Sequence, residues 1–165
     1  MKKDLKMDIK IWLDKLYYDI GKQQFDFKVC GLKKIGDEII PTKWKKYSEV
    51  VFPVDFNEGW KLKWINQREI FPNEIILDLE EKKQLKPIIK ELKELNCVFY
   101  IFLTGSRGFH INIFFNKKIS NKERENFLKY FEVDLQIISG HMIALEFVPH
   151  WKSGKIKERI LEYGI

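Results

Sequence analysis

Hydrophobic positions recur along the first residues at helical spacing. Leu5, Ile9, Trp12, Leu13, Leu16 and Ile20 fall three and four apart, which predicts an amphipathic helix over residues 4–20 with one face on a core. From Phe25 to Val54 the pattern shortens into brief apolar runs broken by Gly31, Gly36, Pro41 and Pro53, the signature of strands joined by turns. Over Gly59 to Phe71, Trp60, Trp64 and Arg68 return to helical spacing. The run Glu74-Ile75-Ile76-Leu77-Asp78-Leu79-Glu80 predicts a strand. A helix follows on the face Leu85, Ile88, Ile89, Leu92 and Leu95, with Pro87 either in its first turn or kinking it.

Two apolar segments, Cys97 to Leu103 and His110 to Phe115, flank Thr104-Gly105-Ser106-Arg107-Gly108-Phe109 and predict a hairpin-like strand pair. Ser120 and Glu123 have the spacing of a capping box, in which each side chain satisfies a free backbone N–H, and predict a helix running to about Phe131. Strands are expected over Glu132 to Ile138 and Met142 to Val148, and a short helix over Ile156 to Tyr163. No repeat, low-complexity tract or linker interrupts the pattern. The expected architecture is α/β (α+β): one domain over 1–165, with a mainly antiparallel sheet and flanking helices.

Composition narrows the class. At 165 residues, with 45% apolar and 33% charged residues, the chain has the makings of one folded core and lacks the profile of a disordered segment. No apolar run approaches the roughly 18 residues of a membrane span. The N-terminus, charged from Lys2 onward, has no signal-peptide core, so a cytoplasmic protein without membrane association is expected. Cys30 and Cys97 supply neither a disulfide framework nor a four-thiol zinc site, and no zinc is expected. A formal charge of +6 gives a modest attraction for polyanions.

Three segments carry candidate chemistry. Asp78 and Glu80 stand two apart in a strand and so project from one face; side-by-side carboxylates favour a hard divalent cation, magnesium or manganese, and a metal pair can serve an in-line phosphoryl displacement. The alternative is a solvated strand end leading into a helix. In Thr104-Gly105-Ser106-Arg107-Gly108-Phe109-His110 the glycines admit backbone N–H groups to a phosphate, Ser106 adds a hydroxyl, and Arg107 a planar fork of donors. His110 opens the next strand within reach of the same anion. The same residues also make an ordinary glycine turn. Pro149-His150-Trp151-Lys152-Ser153-Gly154-Lys155 likewise reads either as a grip for negative charge at a strand end or as a basic loop. Trp44, Trp60 and Trp64 could stack on single-stranded bases, although the sequence favours burial in a small core as their explanation.

In order, these segments resemble the catalytic small subunit of archaeal and eukaryotic DNA primases and the wider primase-polymerase superfamily. Leu77-Asp78-Leu79-Glu80 matches the family's acidic strand motif. Gly105-Ser106-Arg107-Gly108-Phe109-His110 closely matches its motif of small residue, Gly, basic, Gly, X and His. His150-Trp151-Lys152-Ser153-Gly154 matches its His-X-Lys-Ser/Thr-Gly element, with Asp134 as the strand acid before it and Glu146 as a substitute. The resemblance spans about residues 68–155, the motif-bearing core, and leaves 1–67 outside.

The resemblance implies a nucleotidyltransferase that makes or extends RNA or DNA strands on a template. In it a 3′-hydroxyl attacks the α-phosphate of an NTP or dNTP and pyrophosphate leaves. It implies Asp78, Glu80 and Asp134 as catalytic metal ligands for a magnesium or manganese pair. Ser106, Arg107, Gly108, His110, His150, Lys152 and Ser153 would surround the nucleotide. The implied partners are a single-stranded DNA or RNA template and a second primase subunit or a helicase. Cellular members are longer, with a zinc knuckle and a helical insertion that this chain lacks, and many have Asp where Glu80 stands; the chain has the outline of a minimal core. An end-joining repair polymerase, a non-catalytic strand-binding accessory and a metal-dependent nuclease are the alternatives.

Overall fold

A computed structural model describes residues 5–21, 26–50, 65–104, 108–133, 141–150 and 152–163. Packing divides the chain into two compact units, the first formed by Met1–Glu69 with Met142–Lys157 and the second by Ile70–His141 with Glu158–Ile165. Among the described residues the fold is mixed α/β, with three helices, two four-stranded sheets and a two-stranded ribbon.

In the first unit the helix α1, Leu5–Gly21, buries Ile9, Trp12, Leu13 and Leu16, four positions of the stripe that its sequence spacing predicts; the side chains of Leu5 and Ile20 lie outside the description. The unit's sheet has the order β4-β1-β5-β9, all antiparallel, from β1 (Lys28–Cys30), β4 (Lys45–Lys46), β5 (Gln67–Glu69) and β9 (Met142–Ala144). An aromatic cluster joins helix to sheet. Phe27 stacks on Tyr47 with ring centroids 4.8 Å apart, Tyr17 meets both rings, and the Tyr47 hydroxyl donates to Asp14. β2 (Leu32–Ile35) and β3 (Glu38–Pro41) form the separate ribbon.

The helical spacing around Arg68 gives way to a strand here. Residues 65–68 are all buried, and β5 is hydrogen-bonded on both edges, to β1 and to β9. Where successive residues are all buried, side-chain periodicity loses its meaning and backbone pairing decides. Trp60 and Trp64 lie outside the described residues.

The second unit holds β6 (Glu74–Leu79), α2 (Leu85–Glu94), β7 (Val98–Leu103), β8 (Phe109–Phe114), α3 (Asn121–Tyr130) and β10 (Arg159–Tyr163). Its sheet order is β10-β7-β8-β6. β8 runs antiparallel to both neighbours, so β6 and β7, joined through α2, point the same way with β8 slotted between them. Leu77, Leu79, Phe99, Ile101, Ile111 and Ile113 from the sheet pack with Leu85, Ile88 and Leu92 of α2 and Leu128 of α3 into one core. Full burial of each such aliphatic side chain contributes roughly 1.5–3 kcal/mol. Pro87 falls in the first turn of α2, where its missing N–H removes no helical hydrogen bond.

Both helices end alike. After α2 the N–H groups of Asn96 and Cys97 donate to the carbonyls of Lys93 and Leu92, with Asn96 at φ +55°. After α3 those of Glu132 and Val133 donate to Lys129 and Leu128, with Glu132 at φ +56°. Glu132 therefore terminates a helix instead of starting a strand; 134–140 lie outside the described residues. The Ser120–Glu123 capping box opens α3 as its sequence predicts.

The final segment departs from expectation. Arg159–Tyr163 is a strand, β10, paired antiparallel with β7. Its apolar spacing suits a helix in isolation, but the backbone groups on the outer edge of β7 need partners and β10 supplies them. Among the described residues no helix is long and apolar enough to cross a membrane.

Candidate functional site

Five of the six residues of β6 are buried, and Asp78 alone opens towards solvent. Its register partner on β8 is His110, and the imidazole Nε2 stands 3.5 Å from the Asp78 carboxylate. The His110 side chain is 12% exposed and that of Asp78 38%, so the pair is half sheltered. Pairing across the strands thus joins the acidic segment to the glycine–histidine segment, which sequence alone only places in order. Glu80 lies one residue past β6 and is exposed.

The next rung, Leu79 with Phe109, ends the ladder. Beyond it Gly108, at φ +77°, lies against the backbone of β6. A Cβ there would fall 1.9 Å from the Leu79 carbonyl oxygen and 2.9 Å from the Glu80 Cα. Only glycine allows this approach of residue 108 to the end of the strand that carries Asp78. The Thr104 N–H donates to the Gly108 carbonyl at 3.3 Å and closes the connection. Ser106 and Arg107 lie outside the described residues.

His150, Lys152 and Ser153 belong to the first unit, at the tip of a hairpin over 146–157. Hydrogen bonds run from Phe147 N–H to the Lys157 carbonyl, from Lys157 N–H to Val148, from His150 N–H to Lys155, and from Gly154 N–H back to His150. The Lys152 N–H donates to Nδ1 of His150 at 3.1 Å. An accepting Nδ1 fixes the neutral tautomer that carries its proton on Nε2. Burial, with Lys152 and Lys157 nearby, pushes the His150 pKa below its ordinary value. His150 is thereby a neutral Nε2–H donor beside the exposed Lys152, Ser153 and Lys155. The Ser153 Oγ accepts from the Lys155 N–H at 3.2 Å.

The base of this hairpin holds a charge cluster that sequence reading missed. Arg68 of β5 donates to Glu146 through Nε at 3.0 Å and Nη2 at 2.7 Å, and the Lys157 Nζ lies 3.6 Å from the same carboxylate while donating to the Ala144 carbonyl at 3.0 Å. All three residues are fully buried. Burial alone would raise the Glu146 pKa, but Arg68 and Lys157 outweigh it and hold the carboxyl well below the usual range. Next to it Phe147 adopts φ +66°, uncommon for a bulky residue, with its ring edge-on to Trp12 at 5.9 Å. The sequence did carry a signal: Glu146 sits inside the apolar run Ile143-Ala144-Leu145-Glu146-Phe147-Val148, where an acid must find a buried partner.

No family model, curated protein or solved structure matches this chain.

The expectation of a magnesium or manganese pair is overturned. Among the described residues no group of three or more His, Cys, Asp or Glu side chains could hold a metal ion. Asp78 has His110 beside it, and Glu80 is exposed beyond the strand end. Glu146, the substitute third acid, is bound to Arg68 and Lys157. Asp134 lies outside the described residues. The Cys30 thiol is pushed up to about 12 by burial, which keeps it protonated.

Proposed function

We propose that this chain is the nucleotide-handling core of a primase-type nucleotidyltransferase, acting in the cytoplasm on a single-stranded template with NTP or dNTP as substrate. The order of its three segments supports the reading, and the observation that carries it is the Asp78–His110 pair across β6 and β8, set beside the tight turn at Gly108. In this reaction the 3′-oxygen bonds to the α-phosphorus, the bond to pyrophosphate breaks, and the hydroxyl proton departs. A half-sheltered carboxylate next to an imidazole is suited to receive that proton. The sequence of the connection between β7 and β8, with its glycines, Ser106 and Arg107, has the composition to bind phosphates. Within the first unit, His150 as a neutral donor, with Lys152 and Ser153, is suited to hold an anion of its own.

The metal finding favours a second reading, a strand-binding accessory with no turnover. One experiment separates the two. The purified chain is incubated with a template oligonucleotide and labelled nucleotides, with and without an annealed primer, alongside Asp78→Asn and His110→Gln. Synthesis by the wild type, lost in Asp78→Asn with strand binding retained, supports the first reading, and products without a primer identify priming instead of end extension. Strand binding without any synthesis supports the accessory. Equal synthesis by Asp78→Asn removes Asp78 from the site.

A further inference from the structure

The ribbon β2–β3 is anchored at one end and bare at the other. At its base the Asn66 side chain replaces a strand neighbour: its Oδ1 accepts from the Leu32 N–H at 2.8 Å and its Nδ2 donates to the Leu32 carbonyl at 2.8 Å. Thr42 adds a second clasp, accepting from the Gly31 N–H at its Oγ1 at 2.7 Å and donating its own N–H to the Gly31 carbonyl at 2.8 Å. An isolated two-stranded ribbon is marginal in water, so these clasps give it a fixed base.

Towards the tip the protection stops. Residues 35–39 are all exposed, with Ile35 at 46% and Ile39 at 54%. Ile35 pairs with Glu38 and Ile39 with Lys34, on adjacent rungs, so the two isoleucines lie on opposite faces and neither face is covered there. Just past the ribbon Trp44, assigned to the core by its sequence, is 38% exposed. Lys43 precedes it and Lys45 and Lys46 follow. Residues 28–46 hold six lysines against two acids, Asp37 and Glu38, both at the ribbon tip.

We propose that this ribbon and the Trp44 segment form a docking surface for single-stranded nucleic acid. Exposed isoleucines alone would suit a protein partner equally well. An exposed indole next in sequence to Lys43, Lys45 and Lys46 suits a strand whose bases can stack while its phosphates meet cations. A duplex keeps its bases stacked on one another and offers the indole no free face. The surface does not depend on nucleotidyl transfer, because a strand-binding accessory would use it in the same way.

The test is fluorescence anisotropy of the full chain with a labelled oligothymidylate of about 16 nucleotides, across a salt series. Trp44→Ala is expected to weaken binding roughly tenfold at fixed salt and to leave the salt slope unchanged. The triple variant Lys43→Gln, Lys45→Gln, Lys46→Gln is expected to reduce the slope of log affinity against log salt by about 2. Unaltered affinity and slope in both variants overturn the proposal. A concentration-dependent dimer, lost in Ile35→Ser with Ile39→Ser while strand affinity stays the same, also overturns it and gives the ribbon to a second copy of the chain. Loss of synthesis in Asp78→Asn with strand affinity retained concerns the catalytic reading alone.

Discussion

Arg68 and Glu146 meet in a two-pronged ion pair with both side chains fully buried, the guanidinium Nη2 2.7 Å from one carboxylate oxygen. Glu146→Gln keeps the shape and removes the negative charge that faces Arg68 and Lys157. Breaking one side of such a buried arrangement costs about 3–5 kcal/mol, and urea unfolding is expected to show a loss of that size. A loss under about 1 kcal/mol would mean that water or another group already screens the cluster. Because the folded Glu146 is held below its ordinary value, its contribution is complete above the unfolded value of about 4.3 and fades as the pH drops beneath it. The wild type should therefore lose melting temperature in acid more steeply than Glu146→Gln does.

His150 titrates low for a different reason, burial beside Lys152 and Lys157. Its neutral form is the one that the fold favours. Stability linked to it is present above the unfolded value of about 6.5 and is lost as the pH falls towards the folded value. Proton–nitrogen NMR should give a His150 midpoint below 6.5 and nitrogen shifts of the Nε2–H tautomer. A midpoint above that value, or the Nδ1–H form, would contradict the Lys152 hydrogen bond.

Gly36 and Gly108 share a positive φ but differ in surroundings. Nothing lies within 4 Å of a Cβ at Gly36, whereas one at Gly108 would collide with the Leu79 carbonyl. Gly36→Ala should cost about 1 kcal/mol, the backbone term alone. Gly108→Ala should cost clearly more and shift the amide resonances of Leu79 and Glu80. Equal costs would show that the turn moves away from β6 freely.

Asn66→Leu removes two hydrogen bonds at once and leaves the Leu32 backbone without them. A loss of about 2 kcal/mol is expected, together with faster hydrogen exchange at the Leu32 amide. An unchanged exchange rate there would show that the ribbon base is held by something other than the side-chain amide.

Local rules carried far in this sequence wherever an element is amphipathic. The stripe of α1, the face of α2, the Ser120–Glu123 cap and the β7–β8 hairpin follow from spacing and turn chemistry. They failed where the neighbours decide. Gln67–Glu69 lies between two strands, Glu132 adopts a left-handed cap, and Arg159–Tyr163 is drawn to an edge. At the site, the meeting of Asp78 with His110 depends on a register that no local pattern encodes, although both residues stand out in the sequence. Arg68 and Lys157 did not stand out, because a basic residue in a lysine-rich chain carries little information until its burial is known.

β7 is the most apolar strand of its sheet, Val98-Phe99-Tyr100-Ile101-Phe102-Leu103, and β10 lies along its outer side. Stripped of that cover, the strand would present a row of amides and carbonyls on a sticky hexapeptide, the geometry from which fibrils grow. The segment from Arg159 to Tyr163 takes the outer place in the sheet, so that the apolar strand is not the one that offers its edge.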